Sequence, residues 1–225
     1  PVVKLREALD AGRFGKLTLG TVRVRWARHQ AYYDQDPWRG TWAMDGGVLT
    51  NQASHHVDML EWMMGDVESV FAKMTTALAD VETEDTAIVT LKFKNGALGI
   101  IEATTATRPT NLEGSISVLG EKGTVVVGGV AVNKMQTWVF EDDQDEDSNV
   151  LEEFSVNPPN VYGFGHQAYY EHVVDCIKSG SANLVDGLQG RKSIELISAI
   201  YESAETGKEV FLKFQSKYSR LGQKS

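Results

Sequence analysis

The chain has 225 residues, 42% apolar and 24% charged, which is enough to bury a sizeable core and excludes a disordered segment. Lys and Arg number 22 against 31 Asp and Glu, and the resulting net charge of −9 is unsuited to coating nucleic acid or anionic lipid. No apolar run approaches the roughly 18 residues of a membrane span, and the lone Cys176 cannot form an internal disulfide, so a cytoplasmic protein is expected.

The opening PVVKLREALDAGRFG has no leader pattern and reads as the interior of a longer protein. Val2, Leu5 and Leu9 at helical spacing predict a short helix over 2–11, stopped by Gly12 and Gly15. Val22, Val24 and Trp26 alternate with Arg23 and Arg25, a strand with one buried face. Residues 29–45 (HQAYYDQDPWRGTWAMD) have no period and are rich in aromatics and turn formers, and so long a loop is usually functional. A helix is predicted over 48–64, ending at Gly65.

Strand-like runs follow at 69–78, 85–93, 97–104, 114–119, 124–128 and 134–140, with a hairpin signal at Asn95-Gly96 and a tight turn at Glu121-Lys122-Gly123. The acidic run 141–149 opens an irregular loop reaching to 164, and it lacks the ligand spacing of a calcium loop. Helices return over 165–179 and 189–206, stopped by Gly180 and Gly207. This order predicts a single α+β domain over 1–225: a mostly antiparallel open sheet of about six strands, with helices on one face. Val89, Leu91 and Phe93 alternate with Ile88, Thr90 and Lys92, which leaves the other face semi-apolar, and a homo-oligomer through that face is expected.

Winding 49–64 as a helix puts Leu49, Ala53, His56, Val57, Leu60 and Met64 in one arc of about 100°. Asn51, His55, Asp58 and Trp62 fall within about 60° of one another on the other side. An amide, an imidazole and a carboxylate at i,i+4 and i,i+3 describe a positioned imidazole, with Asp58 able to fix the His55 tautomer; a surface histidine beside a chance acid fits as well. Metal binding is the weaker reading, because His55 and His56 point about 100° apart and Cys176 has no CxxC partner. Asp45, Gly46 and Gly47 precede the helix, and they read equally as a tight turn or as a backbone N–H site for close approach of a ligand. Arg39, among Tyr32, Tyr33 and Trp38, suits a carboxylate or phosphate, while the aromatics themselves also fit a loop folded onto the core.

The stretch GGVLTNQASHHVDMLEWMMG resembles the signature of the Gfo/Idh/MocA oxidoreductases, a Gly-rich turn leading into a helix with His and Asp three residues apart. Gly46, Gly47, Leu49, His55, Asp58 and Gly65 match; Asn51 stands where most members have Asp, and Ala53 where they have Gly. The resemblance extends to RVRW, LGEKGTV and the last two helices, and so covers nearly the whole chain. YYDQDPWRGTWAMDGG followed by Asn-Gln is similar to the branch that oxidises C3 of UDP-N-acetylglucosaminuronic acid in bacterial surface-polysaccharide synthesis.

The resemblance implies a substrate and oligomerisation domain like the C-terminal domain of glyceraldehyde-3-phosphate dehydrogenase. A separate N-terminal Rossmann domain would hold NAD or NADP. No G-x-G-x-x-G follows a strand here, and no cofactor site is assigned to the chain. It further implies His55 as base or proton relay, Asn51 as holder of a substrate hydroxyl, Asp58 on the substrate side orienting His55 or else structural, Arg39 and Tyr33 on the uronate or diphosphate, and His166 lining the pocket. The competing readings are a non-catalytic oligomerisation module, or a metal-dependent sugar isomerase or hydrolase using His55, His56 and Asp58.

Overall fold

A computed structural model describes residues 1–142, 144–156, 165–183 and 185–212. Within the expected irregular loop, Asp143 and 157–164 lie outside the described residues. The elements run α1 (Val2–Asp10), β1 (Leu17–Arg25), α2 (Gln30–Tyr33), α3 (Ser54–Met64), β2 (Val67–Thr75), β3 (Thr86–Phe93), β4 (Leu98–Thr104), β5 (Glu113–Gly120), β6 (Gly123–Gly128), β7 (Lys134–Phe140), α4 (Val150–Glu153), α5 (Gly165–Ser179), α6 (Gly187–Thr206) and β8 (Val210–Phe211). A 3₁₀ turn at Asp145–Asn149 precedes α4.

The strands form one sheet in the order β7-β6-β5-β1-β4-β3-β2-β8. This is the expected α+β layer arrangement, with eight strands where about six were expected. The two-residue β8 extends one edge on β2, and β1 enters the middle of the sheet. There β1 pairs antiparallel with β5 and parallel with β4, Val22 opposite Ile101. Short turns force antiparallel neighbours, whereas β1 reaches β4 only after α3, β2 and β3 have intervened, so either direction is open to it.

The period-2 pattern sorts the two faces. Val22, Val24, Val89, Leu91, Phe93, Ile101, Ala103, Ile116 and Val118 are buried beneath α1, α3 and α6. Phe71, Ile88, Leu98 and Ile100 are exposed on the opposite face. Arg25 is paired there with Glu102 (2.6 Å) and Glu113 (3.1 Å). The Asn95-Gly96 hairpin lies between β3 and β4, with Gly96 at φ +90°, where a side chain is strained. Asn95 Nδ2 also donates to Met64 O (2.8 Å), which caps the end of α3 and ties it to the sheet. Among the described residues, no helix is long and apolar enough to cross a membrane.

Candidate active site

The helix read over 48–64 begins at Ser54, because 48–53 forms separate turns: Asn51 N–H donates four residues back to Gly47 O (3.0 Å), but Ala53 N–H donates five back to Val48 O (2.8 Å), which breaks the α pattern. The donors ahead of α3 are satisfied from elsewhere in the chain. Val48 N–H meets Glu84 O (3.0 Å), Leu49 N–H meets Glu84 Oε1 (3.0 Å), and Gly47 N–H meets the Tyr201 hydroxyl (3.3 Å). Of the two readings of Gly46-Gly47, the tight turn is the one realised. Gly46 has φ +71°, and a Cβ on Gly47 would overlap the Glu84 carboxylate and carbonyl.

Asp45 organises the residue that follows the turn. Its carboxylate accepts from Gly40 N–H (2.8 Å) and from Asn51 Nδ2 (2.5 Å). With its nitrogen held by Asp45, Asn51 turns its amide oxygen away from that contact as a free acceptor. An Asp at this position would place two carboxylates side by side, which gives Asn51 a physical reason to depart from the more common residue. His55 is exposed, and His56 is buried against Trp26 with the ring centroids 5.7 Å apart. The two histidines therefore serve opposite sides of α3.

The 29–45 loop contains α2 and a series of turns. Tyr33 is buried, with its hydroxyl on Thr105 Oγ1 (3.0 Å), and burial raises its pKa. It anchors the loop, and its neighbour Tyr32 holds the position at the surface. The Arg39 guanidinium lies 4.2 Å and that of Arg28 5.2 Å from the Tyr32 ring centroid, and Gln52 Nε2 reaches the Tyr32 hydroxyl (3.4 Å). Arg39 uses Nε on Asp36 (3.0 Å) and leaves its terminal nitrogens without a hydrogen bond among the described residues. On its other side, Arg39 borders a cavity of about 400 Å³ whose remaining charged lining is Asp34, Asp36, Asp80 and Glu82, so anion affinity is confined to the Tyr32 side.

Asp58 does not reach His55. Its carboxylate accepts from Ser193 of α6, because an exposed i,i+3 pair yields to a hydroxyl held close by helix packing. Asp58, Glu61, Trp62, Asp66 and Lys192 line a cavity of about 450 Å³ between α3 and α6, in which burial pushes Glu61 up to about 7. His166 lies on the exposed first turn of α5. The structure thus joins Asn51 to Asp45 and groups Arg39 with Tyr32. Among the described residues, no group of three or more His, Cys, Asp or Glu is arranged to hold a metal ion.

The family model described as "Oxidoreductase family, C-terminal alpha/beta domain" matches residues 6–212. The chain belongs to the Gfo/Idh/MocA oxidoreductase family. It is 43% identical to the WlbA dehydrogenase of Bordetella pertussis in complex with NADH and UDP-GlcNAcA, with a TM-score of 0.85 over 95% of this chain and 60% of that one. For the WlbA dehydrogenase of Chromobacterium violaceum, again with NADH and UDP-GlcNAcA, the identity is 44% and the TM-score 0.86 over 96% of this chain and 60% of that one. The myo-inositol 2-dehydrogenase of Thermotoga maritima is 31% identical over 217 residues, 93% of this chain and 60% of the relative. The chain spans about 60% of the length of each of these three.

Within this Gfo/Idh/MocA domain, sequence reasoning passed over Arg28, Gln52, Glu84 and Tyr201. Arg28 stands two residues after RVRW, a signal that was there to read. Glu84 and Tyr201 are 117 residues apart, and no local pattern connects them.

His56 yields a pH prediction. Burial lowers it from its ordinary 6.5 to about 4, and neither ring nitrogen has a hydrogen-bond partner. The unfolded chain takes up that proton first as pH falls, so folding stability is lost from about pH 6.5 down to 4, by roughly 3 kcal/mol. Glu61 runs oppositely between about 7 and 4.5, where only the folded carboxyl keeps its proton. The His56→Gln variant separates the two: its stability difference from wild type, measured by urea titration, should shift by roughly 3 kcal/mol between pH 7 and 4. A difference that does not move with pH contradicts a buried neutral imidazole.

Proposed function

We propose that the chain is the sugar-binding domain of an NAD-dependent dehydrogenase that oxidises C3 of a UDP-N-acetylhexosaminuronic acid. The observation that carries this reading is the 43–44% identity to two WlbA dehydrogenases, each in complex with NADH and UDP-GlcNAcA, across almost the whole chain. The site chemistry supports it. A hexuronate offers a hydroxyl to an oriented acceptor, a proton to an exposed imidazole and an anion to a guanidinium stacked on a phenol ring.

The described residues contain no parallel strand–Gly-rich turn–helix unit, and their one parallel pair, β1 and β4, has two strands between its members in the chain. We assign the dinucleotide phosphate site to the part of the parent outside this chain. A bound nicotinamide supplies a hydride acceptor. In this proposal, the Asn51 amide oxygen accepts from a substrate hydroxyl next to the one that is oxidised and so orients the sugar, while Asp45 prevents the amide from flipping. His55 takes the proton of the oxidised hydroxyl as its carbon gives up the hydride. Arg39 and Arg28, braced on Tyr32, hold the carboxylate or diphosphate, and Tyr33 anchors the loop beneath them.

In the full-length protein with UDP-GlcNAcA and NAD, His55→Ala should lower kcat by about 10²–10⁴-fold with little change in KM. Asn51→Asp should lose activity near neutrality and recover part of it in acid, where one carboxyl of the pair is protonated. Wild-type rates in His55→Ala would remove the proposed role of that residue. Absence of UDP-sugar oxidation in the wild type would remove the substrate.

The open sheet face, with Phe71, Ile88, Leu98 and Ile100 exposed around the Arg25 ion pairs, is proposed as the contact between two copies. Light scattering should give a multiple of the chain mass that falls to one chain in an Ile88→Lys, Ile100→Lys double variant. A monomeric wild type contradicts this.

A further inference from the structure

Residues 82–84, just before β3, run alongside the functional loop and hold it at successive points. Glu82 N–H donates to Gly40 O (3.0 Å), and Glu82 Oε2 accepts from Trp42 N–H (3.0 Å). Thr83 Oγ1 donates to Gly46 O (3.1 Å). Glu84 then meets Val48 and Leu49 through its carbonyl and Oε1, as described above, and the Tyr201 hydroxyl donates to Oε1 (3.0 Å). That hydroxyl also lies 2.8 Å from Thr50 Oγ1. The Glu84 carboxyl holds Leu49, its main-chain carbonyl holds Val48, and a phenol from α6 holds Gly47 and Thr50, so every residue from Gly47 to Thr50 is gripped and Asn51 is next.

The Glu84 side chain is an expensive way to cap a helix. It is 4% exposed, its Oε2 has no hydrogen-bond partner, and burial raises its pKa. An Asp or Ser at position 53 would serve α3 more cheaply, yet that position is Ala53 and makes no side-chain cap. What Glu84 provides that a local cap cannot is a fixed path for 47–50 relative to the sheet and to α6. Gly47 is the other half of the device, since only a residue without Cβ lets the carboxyl come this close.

We propose that Glu84 and Tyr201 are positioning residues for the Asn51–His55 site, setting the turn from which Asn51 projects. The proposal rests on the function given above. Its test is arranged so that the two fail separately.

Hydrogen exchange of the full-length protein, without substrate, reads the clamp alone. In Glu84→Ala, amides of 46–52 should exchange at least about tenfold faster, while 57–64 and the central strands keep wild-type rates. Kinetics with UDP-GlcNAcA then read the site. Tyr201→Phe should lower kcat by about tenfold, leaving the KM for the dinucleotide and the Tm near wild type. Glu84→Gln keeps an acceptor for Leu49 N–H and should stay within about threefold of wild type.

Unchanged exchange over 46–52 in Glu84→Ala overturns the proposal. So does a normal kcat in a Tyr201→Phe protein whose turn exchanges faster, which would make the clamp purely structural. If Glu84→Ala does not fold, Tyr201→Phe and Glu84→Gln are read by the same two measurements. If the wild type oxidises no UDP-sugar, the assigned function falls, and exchange over 46–52 decides the clamp by itself.

Discussion

A buried carboxyl holds the turn on which the candidate site depends. Glu84 accepts from Leu49 N–H and from the Tyr201 hydroxyl in a place where no cation neutralises it. A helix N-terminus attracts anions because its first N–H groups lack partners. Here the protein answers that attraction with its own side chain, so the turn before α3 is occupied from within. In the proposed site the chemistry passes to the side chains that the turn presents, Asn51 and then His55.

The turn leads into α3, whose His56 touches Trp26 just past the end of β1, where the chain leaves the sheet for the 29–45 loop. Asp45 ties the end of that loop to Asn51, and Gln52 touches Tyr32 near its start. Loop and turn are therefore one mechanical unit. A guanidinium stacked on a tyrosine and an amide of fixed orientation are presented together. That combination suits a ligand with a hydroxyl and an anionic group more than either feature alone would.

Much of this was legible in the sequence because it rests on periodicity. The 3.6-residue repeat put His55 outside and His56 inside, and the 2-residue repeat separated Val89, Leu91 and Phe93 from Ile88, Thr90 and Lys92. Asn95-Gly96 marked its hairpin because the turn geometry demands those residues. What could not be read is long-range. The parallel pairing of β1 with β4 and the hydrogen bond from Ser193 to Asp58 depend on elements brought together only by folding. The helix begins at 54 where 48 was expected, because Ala53 N–H bonds five residues back to Val48 O and interrupts the α pattern, a departure that local propensity does not show.

The most direct measurement of the account is a crystal structure of the full-length protein with UDP-GlcNAcA bound. The oxidised hydroxyl should lie roughly 3 Å from a His55 ring nitrogen and a neighbouring hydroxyl roughly 3 Å from the Asn51 amide oxygen, with Asn51 Nδ2 still on Asp45 and the sugar's anionic groups at Arg28 and Arg39. A sugar seated away from this row, with His55 covered by other parts of the protein or facing only solvent, would contradict it.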